Sequence, residues 1–378
     1  MDVQLPFSRE EYEQRLKAVR SELLARQAHL VLVDESEHLF YLTGFGPSAT
    51  MYQVCLVSVD RDPIMLLRRL DEPSFRERTW LCDYIVFGDA EDPVVHLRRA
   101  LTQLGWADKR IAVELDSHYL PVRRFHALTA ALPDATFVDF SDVLWEMRLH
   151  KSPQEVAYLR QAATIADEAM RQAIASVGEG VHERAAAIVA SRAFLELGAD
   201  GGHIGRIASG GRTDSLHGAL RNHSLVQGDV VHMELCPQVS GYSARLMRPT
   251  VIGTPTRVQE ETARVLVKIQ DQQLAAMRPG AKAKDVDRIC REQVLTTGLR
   301  DTYDNTTGYT LGYYGTPYPP RSSDFTRVFL PTAEWSLEPG MVFHMYTAAR
   351  GMAFSETVLV TDQGHERLTQ LDRRLFVR

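Results

Sequence analysis

Hydrophobic and polar residues alternate with two different periods along the first 150 residues. Apolar residues spaced three and four positions apart predict helices that begin at Ser8 and cover 92–104 and 119–131. Short apolar runs predict strands between these helices, at 30–33, 53–59, 64–67, 111–114 and 136–139. Such an alternation of helix and strand is typical of a small α/β domain.

After residue 150 the pattern changes to longer helices and longer β-forming stretches. Ser152 followed by Pro153 predicts the start of a helix that runs to about residue 176. Further helices are predicted over 181–197, 256–277 and 284–297, and β structure over 229–253, 341–347 and 354–361. Two helices, a hairpin, two helices and more strands predict a duplicated α+β unit with its helices on one face of a sheet.

Composition and charge exclude several classes of protein. The chain has 378 residues, and 43 Lys and Arg against 49 Asp and Glu leave a net charge of −6. A mildly acidic protein lacks the basic surface that binds nucleic acid, and no apolar run approaches the ~20 residues of a membrane span. The acidic start carries no secretion-signal pattern. We therefore expect a cytoplasmic protein, and the change of pattern near residue 150 predicts two domains, residues 1–149 and 150–378.

Residues able to carry acid–base chemistry occur in the second domain. Glu234 interrupts an apolar β-forming stretch, where a charge is costly unless it is paired or functional. His232 lies two positions earlier and would share a strand face with Glu234. His217 follows a loop rich in Gly and Ser, and histidine titrates near neutral pH. These residues predict general acid–base or nucleophilic catalysis, although each could instead be a paired structural residue.

Several short motifs occur in an order that resembles a known family. They are Lys151-Ser-Pro-x-Glu155, Ser209 to His217, Gly228 to Glu234, Gly241-Tyr242, Gly308-Tyr309, Leu337 to Met341 and Ser355-Glu356. This order resembles the pita-bread family of Xaa-Pro peptidases, methionine aminopeptidases and creatinases. The resemblance implies an α+β pita-bread catalytic domain after a smaller α/β N-terminal domain. It also implies a homodimer, in which residues 46–52 of one chain reach the active site of its neighbour.

The metal ligands of that family are mostly replaced in this sequence. Its metallopeptidases hold two metal ions with two Asp, one His and two Glu. The corresponding residues here are, in order, Glu234, Arg245, Tyr309, Tyr346 and Ser355. A phenol with a pKa of ~10 is a poor ligand at neutral pH, and a guanidinium cannot accept an electron pair. We therefore expect no metal ion and no other cofactor.

Two branches of the family cleave C–N bonds of small zwitterions without metal. The creatinase pattern resembles the stretch from Ser209 to His217, and its histidine is the acid–base group. Met247, however, stands where creatinase has a glutamate, which argues against creatine as the substrate. The ectoine hydrolase branch is more similar, with its catalytic glutamate at Glu234, a Phe-His pair at Phe343-His344 and a Ser/Thr-Glu pair at Ser355-Glu356.

The sequence thus predicts a metal-independent hydrolase that cleaves a C–N bond of a small zwitterionic nitrogen compound. Glu234 would attack the substrate or activate water, and His217 would carry the proton. The expected substrate-binding residues are Arg245, Tyr309, Tyr346, Glu356, His344 and His232. Arg245 could bind a carboxylate, or it could form a salt bridge that fills the lost metal site. Glu356 adjoins a lost ligand, so its side chain could point to the opposite face.

Two other functions remain open from the sequence. One is a metal-dependent Xaa-Pro dipeptidase or aminopeptidase with a rearranged site. The other is a non-catalytic protein that uses the pita-bread fold for binding, with the two tyrosines filling the volume of the lost metal ions. Metal analysis would identify the first, and a screen for turnover would separate binding from catalysis.

Overall fold

The protein consists of two compact units that meet in sequence between Met147 and Arg148. The computed structural model describes residues 5–46, 51–210, 216–314 and 326–378. Residues 47–50, most of the segment expected to reach a neighbouring subunit, therefore lie outside the described residues. No helix in the described ranges is both long enough and apolar enough to cross a membrane.

The first unit is built on a six-stranded mixed sheet. Its strands are β1 (Leu30–Val33), β2 (Val54–Ser58), β3 (Ile64–Arg68), β4 (Asp83–Phe87), β5 (Arg110–Val113) and β6 (Thr136–Asp139). Their spatial order is β4-β3-β2-β1-β5-β6, with β1 parallel to β5 and antiparallel to β2. The helices are α1 (Arg9–Ala25), α2 (Ser36–Thr43), α3 (Glu72–Arg78), α4 (Pro93–Gln103), α5 (Val122–Ala131) and α6 (Val143–Met147).

Four helices of this unit differ from the sequence prediction. The short helices α3 and α6 were not predicted, and the differences at α5 and α2 have physical reasons. Helix α5 begins at Val122, three residues later than predicted, because Pro121 is its extended N-cap and disfavours helical backbone at the preceding residue. Helix α2 was not predicted at all. Every one of its eight residues is buried, so it shows no alternation of apolar and polar faces.

In its described residues, the second unit combines four helices with an eight-stranded sheet. Its helices are α7 (Pro153–Ala175), α8 (Arg184–Glu196), α9 (Arg257–Ala275) and α10 (Ala283–Thr296). Its strands are β7 (Ile207–Ala208), β8 (Val230–Leu235), β9 (Gln238–Val239), β10 (Tyr242–Ser243), β11 (Leu246–Val251), β12 (Gly308–Thr310), β13 (Val342–Ala349), β14 (Met352–Thr361), β15 (Gly364–Arg367) and β16 (Phe376–Val377). The main path of the sheet is β12-β13-β14-β11-β8-β7, while β15 pairs with β14, β16 pairs with β11, and β9 and β10 form a separate hairpin.

The two halves of this unit begin in the same way. Ser152 and Glu155 form a reciprocal capping box at the start of α7, and Thr256 and Gln259 form one at the start of α9. Each capping box precedes a pair of helices and then strands of the common sheet. The structure therefore has the duplicated arrangement that the hydrophobic pattern predicts.

The helices of the second unit cover one face of its sheet. Val231, Met233 and Leu235 of β8 pack into one core cluster with residues of α7 and α8. Phe343 of β13 and Phe354 of β14 lie in two further clusters with residues of α9 and α10. The predicted α+β fold with helices on one sheet face is confirmed, and the opposite face remains for the site.

Candidate functional site

The sheet face without helices carries the polar side chains of β8. Side chains alternate across a strand, and Val231 and Met233 enter the core, so His232 and Glu234 point to the opposite face. Both are nevertheless buried, with 2% and 5% of their surface exposed. A carboxylate and an imidazole thus share a face of the sheet where solvent is largely excluded.

One row of directly opposed residues crosses four strands on this face. Glu234 pairs with Met247, Met247 pairs with Ser355, and Ser355 pairs with Tyr346. Residues opposite each other on neighbouring strands share a face and lie close together. This row therefore unites β8, β11, β14 and β13, and it contains three of the five residues that the motif resemblance matches to metallopeptidase ligands.

A second row lies two residues away along the strands and contains Arg245 and Tyr309, the other two residues matched to metallopeptidase ligands. Arg245 precedes β11, and its backbone N–H donates to Thr357 Oγ1 at 2.8 Å. Thr357 pairs with His344, and His344 pairs with Tyr309. The guanidinium of Arg245 donates to Tyr309 Oη, and His344 Nδ1 lies 2.9 Å from the same oxygen. Arg245 and Tyr309, 64 residues apart in sequence, are therefore in direct contact.

The guanidinium of Arg245 is fixed inside the protein. Its Nη1 lies 3.6 Å from Glu234 Oε1, and both side chains are buried. Its central carbon lies 5.2 Å from the ring centre of Tyr309 and 5.6 Å from that of Tyr314. Cys236 Sγ is 3.9 Å from the same Glu234 oxygen. A carboxylate and two aromatic rings thus hold a cation at the floor of the site.

The backbone before β7 approaches Glu234 too closely for any residue but glycine at position 205. A Cβ on Gly205 would lie 2.5 Å from the carbonyl oxygen of Glu234 and 3.0 Å from its Cγ. The backbone N–H of Glu234 donates to the carbonyl oxygen of Arg206 at 2.7 Å. Gly205 therefore allows the contact that holds this part of β8 in place.

Three rings lie side by side at the β13 end of the two rows. The ring centres of Tyr309 and His344 are 5.1 Å apart, and those of His344 and Tyr346 are 5.3 Å apart. Tyr346 Oη lies 2.9 Å from Thr306 Oγ1 and accepts from Asn305 Nδ2 at 3.3 Å. Burial raises the pKa of the Tyr346 phenol, so this group is neutral and can donate a hydrogen bond near pH 7.

Two buried polar groups on this face are unpartnered in the described part of the chain. They are the imidazole of His232, at both ring nitrogens, and the hydroxyl of Ser355. Burial lowers the pKa of His232 to about 4, so its ring is neutral near pH 7. Buried polar groups are ordinarily hydrogen-bonded. Unpartnered groups beside Glu234 are suited to a bound molecule.

His217 is held near the site by its neighbour in sequence. Leu216 packs against a small apolar cluster on the open face of the sheet. This cluster consists of Met247, Tyr346, Ala348 and Ala353. His217 is exposed, and it is a minor contributor, after burial, to the lowered pKa of His232. Residues 211–215 of the predicted histidine motif lie outside the described residues.

The structure separates Glu356 from the other predicted site residues. It lies on the helix-covered side of β14, fully buried, because it follows Ser355 in a strand whose side chains alternate. Its Oε1 is 2.7 Å from Arg248 Nη2, and it accepts from the hydroxyl of Thr369. Glu356 is therefore part of a core ion pair and does not face Glu234.

The donor groups of the two rows do not fit a pair of divalent metal ions. The five ligand positions supply one carboxylate, one guanidinium, two phenols and one hydroxyl. Divalent transition metals require imidazole, carboxylate or thiolate donors. Within the described ranges, no group of three or more His, Cys, Asp and Glu side chains is arranged to hold a metal ion.

Some residues of the site were not predicted from the sequence. Thr357 contacts the backbone of Arg245, and a count of two positions along β14 from Ser355 would have found it. Asn305 and Thr306 hold the phenol of Tyr346, but they belong to the loop before β12 and no motif marks them. Loop contacts of this kind follow from tertiary packing alone.

Two curated relatives carry different activities in their names. The ectoine hydrolase of Halomonas elongata is 25% identical over 402 residues, which cover 100% of both chains. The Xaa-Pro dipeptidase of Pyrococcus furiosus is 29% identical over 241 residues, which cover 64% of this chain and 68% of that protein.

Solved structures of prolidases share the fold of the whole chain. The prolidase from Pyrococcus horikoshii OT3 superposes with a TM-score of 0.82 at 22% identity, over 96% of this chain and 99% of that one. The Xaa-Pro dipeptidase from Bacillus anthracis superposes with a TM-score of 0.83 at 20% identity, over 97% of this chain and 100% of that one. These likenesses show that the fold is the pita-bread fold with its N-terminal domain.

Two family matches divide the chain between them. Residues 15–150 match the creatinase/prolidase N-terminal domain, and residues 157–362, more than half of the chain, match metallopeptidase family M24. Both matches agree with the resemblance that the motifs predict. The chain belongs to metallopeptidase family M24 and carries the N-terminal domain of the creatinases and prolidases.

Proposed function

We propose that this protein is a metal-independent hydrolase that cleaves a C–N bond of a small zwitterion. The observation that carries the proposal is the position of Arg245. Its guanidinium, which the motif resemblance matches to a metallopeptidase ligand, lies 3.6 Å from Glu234 and is hydrogen-bonded to Tyr309. A fixed organic cation beside a buried carboxylate can bind and orient an anionic substrate without a metal ion.

Arg245 binds the carboxylate of the substrate in this proposal. A guanidinium presents five N–H donors in one plane, so it can donate to a substrate carboxylate while it also donates to Tyr309. The apolar cluster around Met247 lies beside it and suits the methylene groups of a compact substrate. The neutral ring of His232 and the hydroxyl of Ser355 supply hydrogen bonds to the polar groups that remain.

Glu234 and His217 then break the bond. Glu234 either attacks the electrophilic carbon or takes a proton from the water that attacks it. A C–O bond forms, the C–N bond breaks, and His217 gives a proton to the leaving nitrogen. In the first route, a second step with water releases the acyl group and restores the carboxylate. Tyr309 and Tyr346 donate hydrogen bonds to the negative charge that develops on the substrate.

The first substrate to test is ectoine, a cyclic amidine that also carries a carboxylate. The relative from Halomonas elongata is named for this compound and aligns over its full length. Guanidino acids and N-acyl diamino acids present the same combination of an electrophilic carbon bonded to nitrogen and a carboxylate. These two classes of compound are tested for turnover after ectoine.

Glu234→Gln tests the mechanism directly. The substitution preserves the shape of the side chain but removes the basic oxygen, so we expect kcat to fall about 10³-fold with little change in folding. Turnover is measured with and without a chelator, and the wild-type rate should be the same in both. Cys236→Ser is a matched control beside the same oxygen and should retain activity. A near wild-type rate for Glu234→Gln would refute the mechanism.

A second candidate function is Xaa-Pro dipeptide hydrolysis with bound metal. The identity of 29% to the dipeptidase of Pyrococcus furiosus favours it. The test is elemental analysis of the purified protein together with an assay on Xaa-Pro dipeptides. Stoichiometric manganese, cobalt or zinc, with activity that a chelator abolishes, would favour the dipeptidase over the metal-independent hydrolase.

A further inference from the structure

One buried carboxylate contacts residues on both sides of His217 in sequence. Glu183 directly precedes α8 and is fully buried. The hydroxyl of Ser209 donates to its Oε2, and the backbone N–H of Arg221 donates to its Oε1. Ser209 and Arg221 lie on either side of His217 in sequence. Each end of the segment 209–221 is therefore attached to a different oxygen of the same carboxylate.

The guanidinium of Arg221 reinforces this closure. Its Nη2 donates to the carbonyl oxygen of Ser209 at 2.8 Å and to that of Gly210 at 3.3 Å. The backbone N–H of Glu183 in turn donates to the carbonyl oxygen of His223 at 2.9 Å. The two ends of the segment are thus tied to each other and to the start of α8.

The part of the segment next to His217 has a different anchor. Leu216 packs against the apolar cluster around Met247 and Tyr346 on the open face of the sheet. The position of His217 therefore depends on a polar anchor at the base of the loop and an apolar anchor beside the histidine itself.

We infer that Glu183 is a positioning residue for His217. A carboxylate has two acceptor oxygens and no donor, which matches the two donors that reach it from the ends of the loop. Hydrogen bonds to a buried charged acceptor are stronger than neutral ones, so this carboxylate fixes Ser209 and the backbone of Arg221, four residues after His217. The effect on catalysis rests on the proposed function, whereas the effect on the position of His217 does not.

The variants are Glu183→Ala, which removes both attachments, and Ser209→Ala, which removes one. Asp167→Ala is the matched control. Asp167 is also a buried carboxylate that accepts from two donors, the backbone N–H groups of Gln370 at 2.6 Å and Leu371 at 3.0 Å. Unlike Glu183, it holds a segment without proposed site residues.

The first measurement needs no substrate. Hydrogen exchange of the backbone amides of 216–221 and the NMR signals of the His217 ring report the loop directly. For Glu183→Ala we expect exchange about tenfold faster or more, together with a shifted or broadened His217 signal, and for Ser209→Ala a smaller effect. Asp167→Ala should leave both measurements unchanged. If Glu183→Ala does not fold, Ser209→Ala carries both measurements. Wild-type exchange and an unchanged His217 signal in the folded variant would overturn the inference.

The second measurement uses the substrate on which the wild-type protein is active. Displacement of a catalytic group by about 1 Å can cost about 10²-fold in rate, so we expect a loss of this order in kcat for Glu183→Ala. KM should change by less than about twofold, since Arg245 is untouched. If Glu183→Ala and Asp167→Ala changed kcat by the same factor and KM by the same factor, Glu183 would have only a structural role. If the wild-type protein turns over none of the compounds, the proposed function fails, while the exchange and NMR measurements still decide the position of His217.

Discussion

Two buried arginine–glutamate pairs lie on opposite faces of the same sheet, and they are built differently. Arg248 Nη2 lies 2.7 Å from Glu356 Oε1, and both side chains are fully buried. The guanidinium also donates to the carbonyl oxygens of Met247, Ser355, Leu371 and Asp372. Arg245, three residues earlier, approaches Glu234 only to 3.6 Å. The two charged groups on the helix-covered face are directly hydrogen-bonded, and those on the open face are more widely separated.

The polar groups around the two pairs also differ in how many hydrogen-bond partners they have. Thr369 donates to Glu356, and the guanidinium groups of Arg367 and Arg373 lie 3.7 Å from it. Glu234 lies on the face that also holds His232 and Ser355, whose polar atoms have no partner among the described residues. Both pairs are buried, so burial alone does not separate a structural pair from a site pair. The hydrogen-bond partners of the surrounding polar groups make that distinction.

The largest effect is expected for Arg248→Met. The substitution leaves the carboxylate of Glu356 in the core without its main partner, so the free energy of unfolding should fall by about 3–5 kcal/mol. Urea denaturation measures the loss. The double variant Arg248→Met/Glu356→Leu should recover part of it, because the uncompensated charge is gone. An equal loss for Arg245→Met would contradict the distinction between the two pairs.

The second prediction concerns the neutral imidazole of His232. Burial lowers its pKa from an ordinary 6.5 to about 4. Between these two pH values the unfolded chain binds a proton at this imidazole and the folded chain does not. The contribution of the neutral His232 to the free energy of unfolding is therefore fully present above pH 6.5 and is lost as the pH falls from 6.5 toward 4. The difference corresponds to on the order of 3 kcal/mol. His232→Gln should flatten the stability curve between pH 6.5 and 4.

Denaturant titrations at several pH values measure this slope. His126→Gln, at an exposed position of α5, is the control. A wild-type slope in His232→Gln would show that the imidazole does not titrate as its burial requires.

The third prediction tests what Arg245 binds. Lysine keeps the positive charge but lacks the planar fork that matches a carboxylate, so Arg245→Lys should raise KM about 10- to 100-fold. Steady-state kinetics with a substrate and with its decarboxylated analogue measure the effect. The analogue should lose little affinity on the substitution, because it has no carboxylate to bind. Equal losses for both compounds would show that Arg245 fills the site without binding substrate.

The smallest effect is expected for Tyr346→Phe. The substitution removes the hydroxyl that contacts Thr306 and Asn305 and should lower the free energy of unfolding by about 1 kcal/mol. Thermal denaturation measures it. If Tyr346 also donates to the substrate, kcat should fall while the stability loss stays this small. An unchanged kcat would leave Tyr346 as a packing residue of the open face.

Local patterns along the chain predicted much of the secondary structure. The Ser-Pro-x-Glu start of α7 is a complete capping box in the structure, as its residues predict. The period of two in β8 placed His232 and Glu234 together, because adjacent side chains of a strand point in opposite directions. Helix α2 shows the limit of this reasoning, since a segment buried on all sides has no polar face from which a period could be recognised.

The position of Glu356 shows what a motif cannot resolve. Ser355 and Glu356 are adjacent in sequence, and the resemblance alone did not decide which of them faces the site. The pairing of Ser355 with Met247 and Tyr346 places the serine on the open face and directs the glutamate into the core beside Arg248. A shift of one residue in register would exchange them.

The amino-acid sequence by itself determined the fold family and the start of α7, and it supplied the prediction that Arg245, Tyr309 and Tyr346 replace metal ligands. These depend on residue identity and on neighbours a few positions away. Only the tertiary structure decided that Glu234, Met247, Ser355 and Tyr346 form one row and that Glu183 holds both ends of the His217 loop. These contacts join residues that are distant along the chain, and strand register and helix packing bring them together.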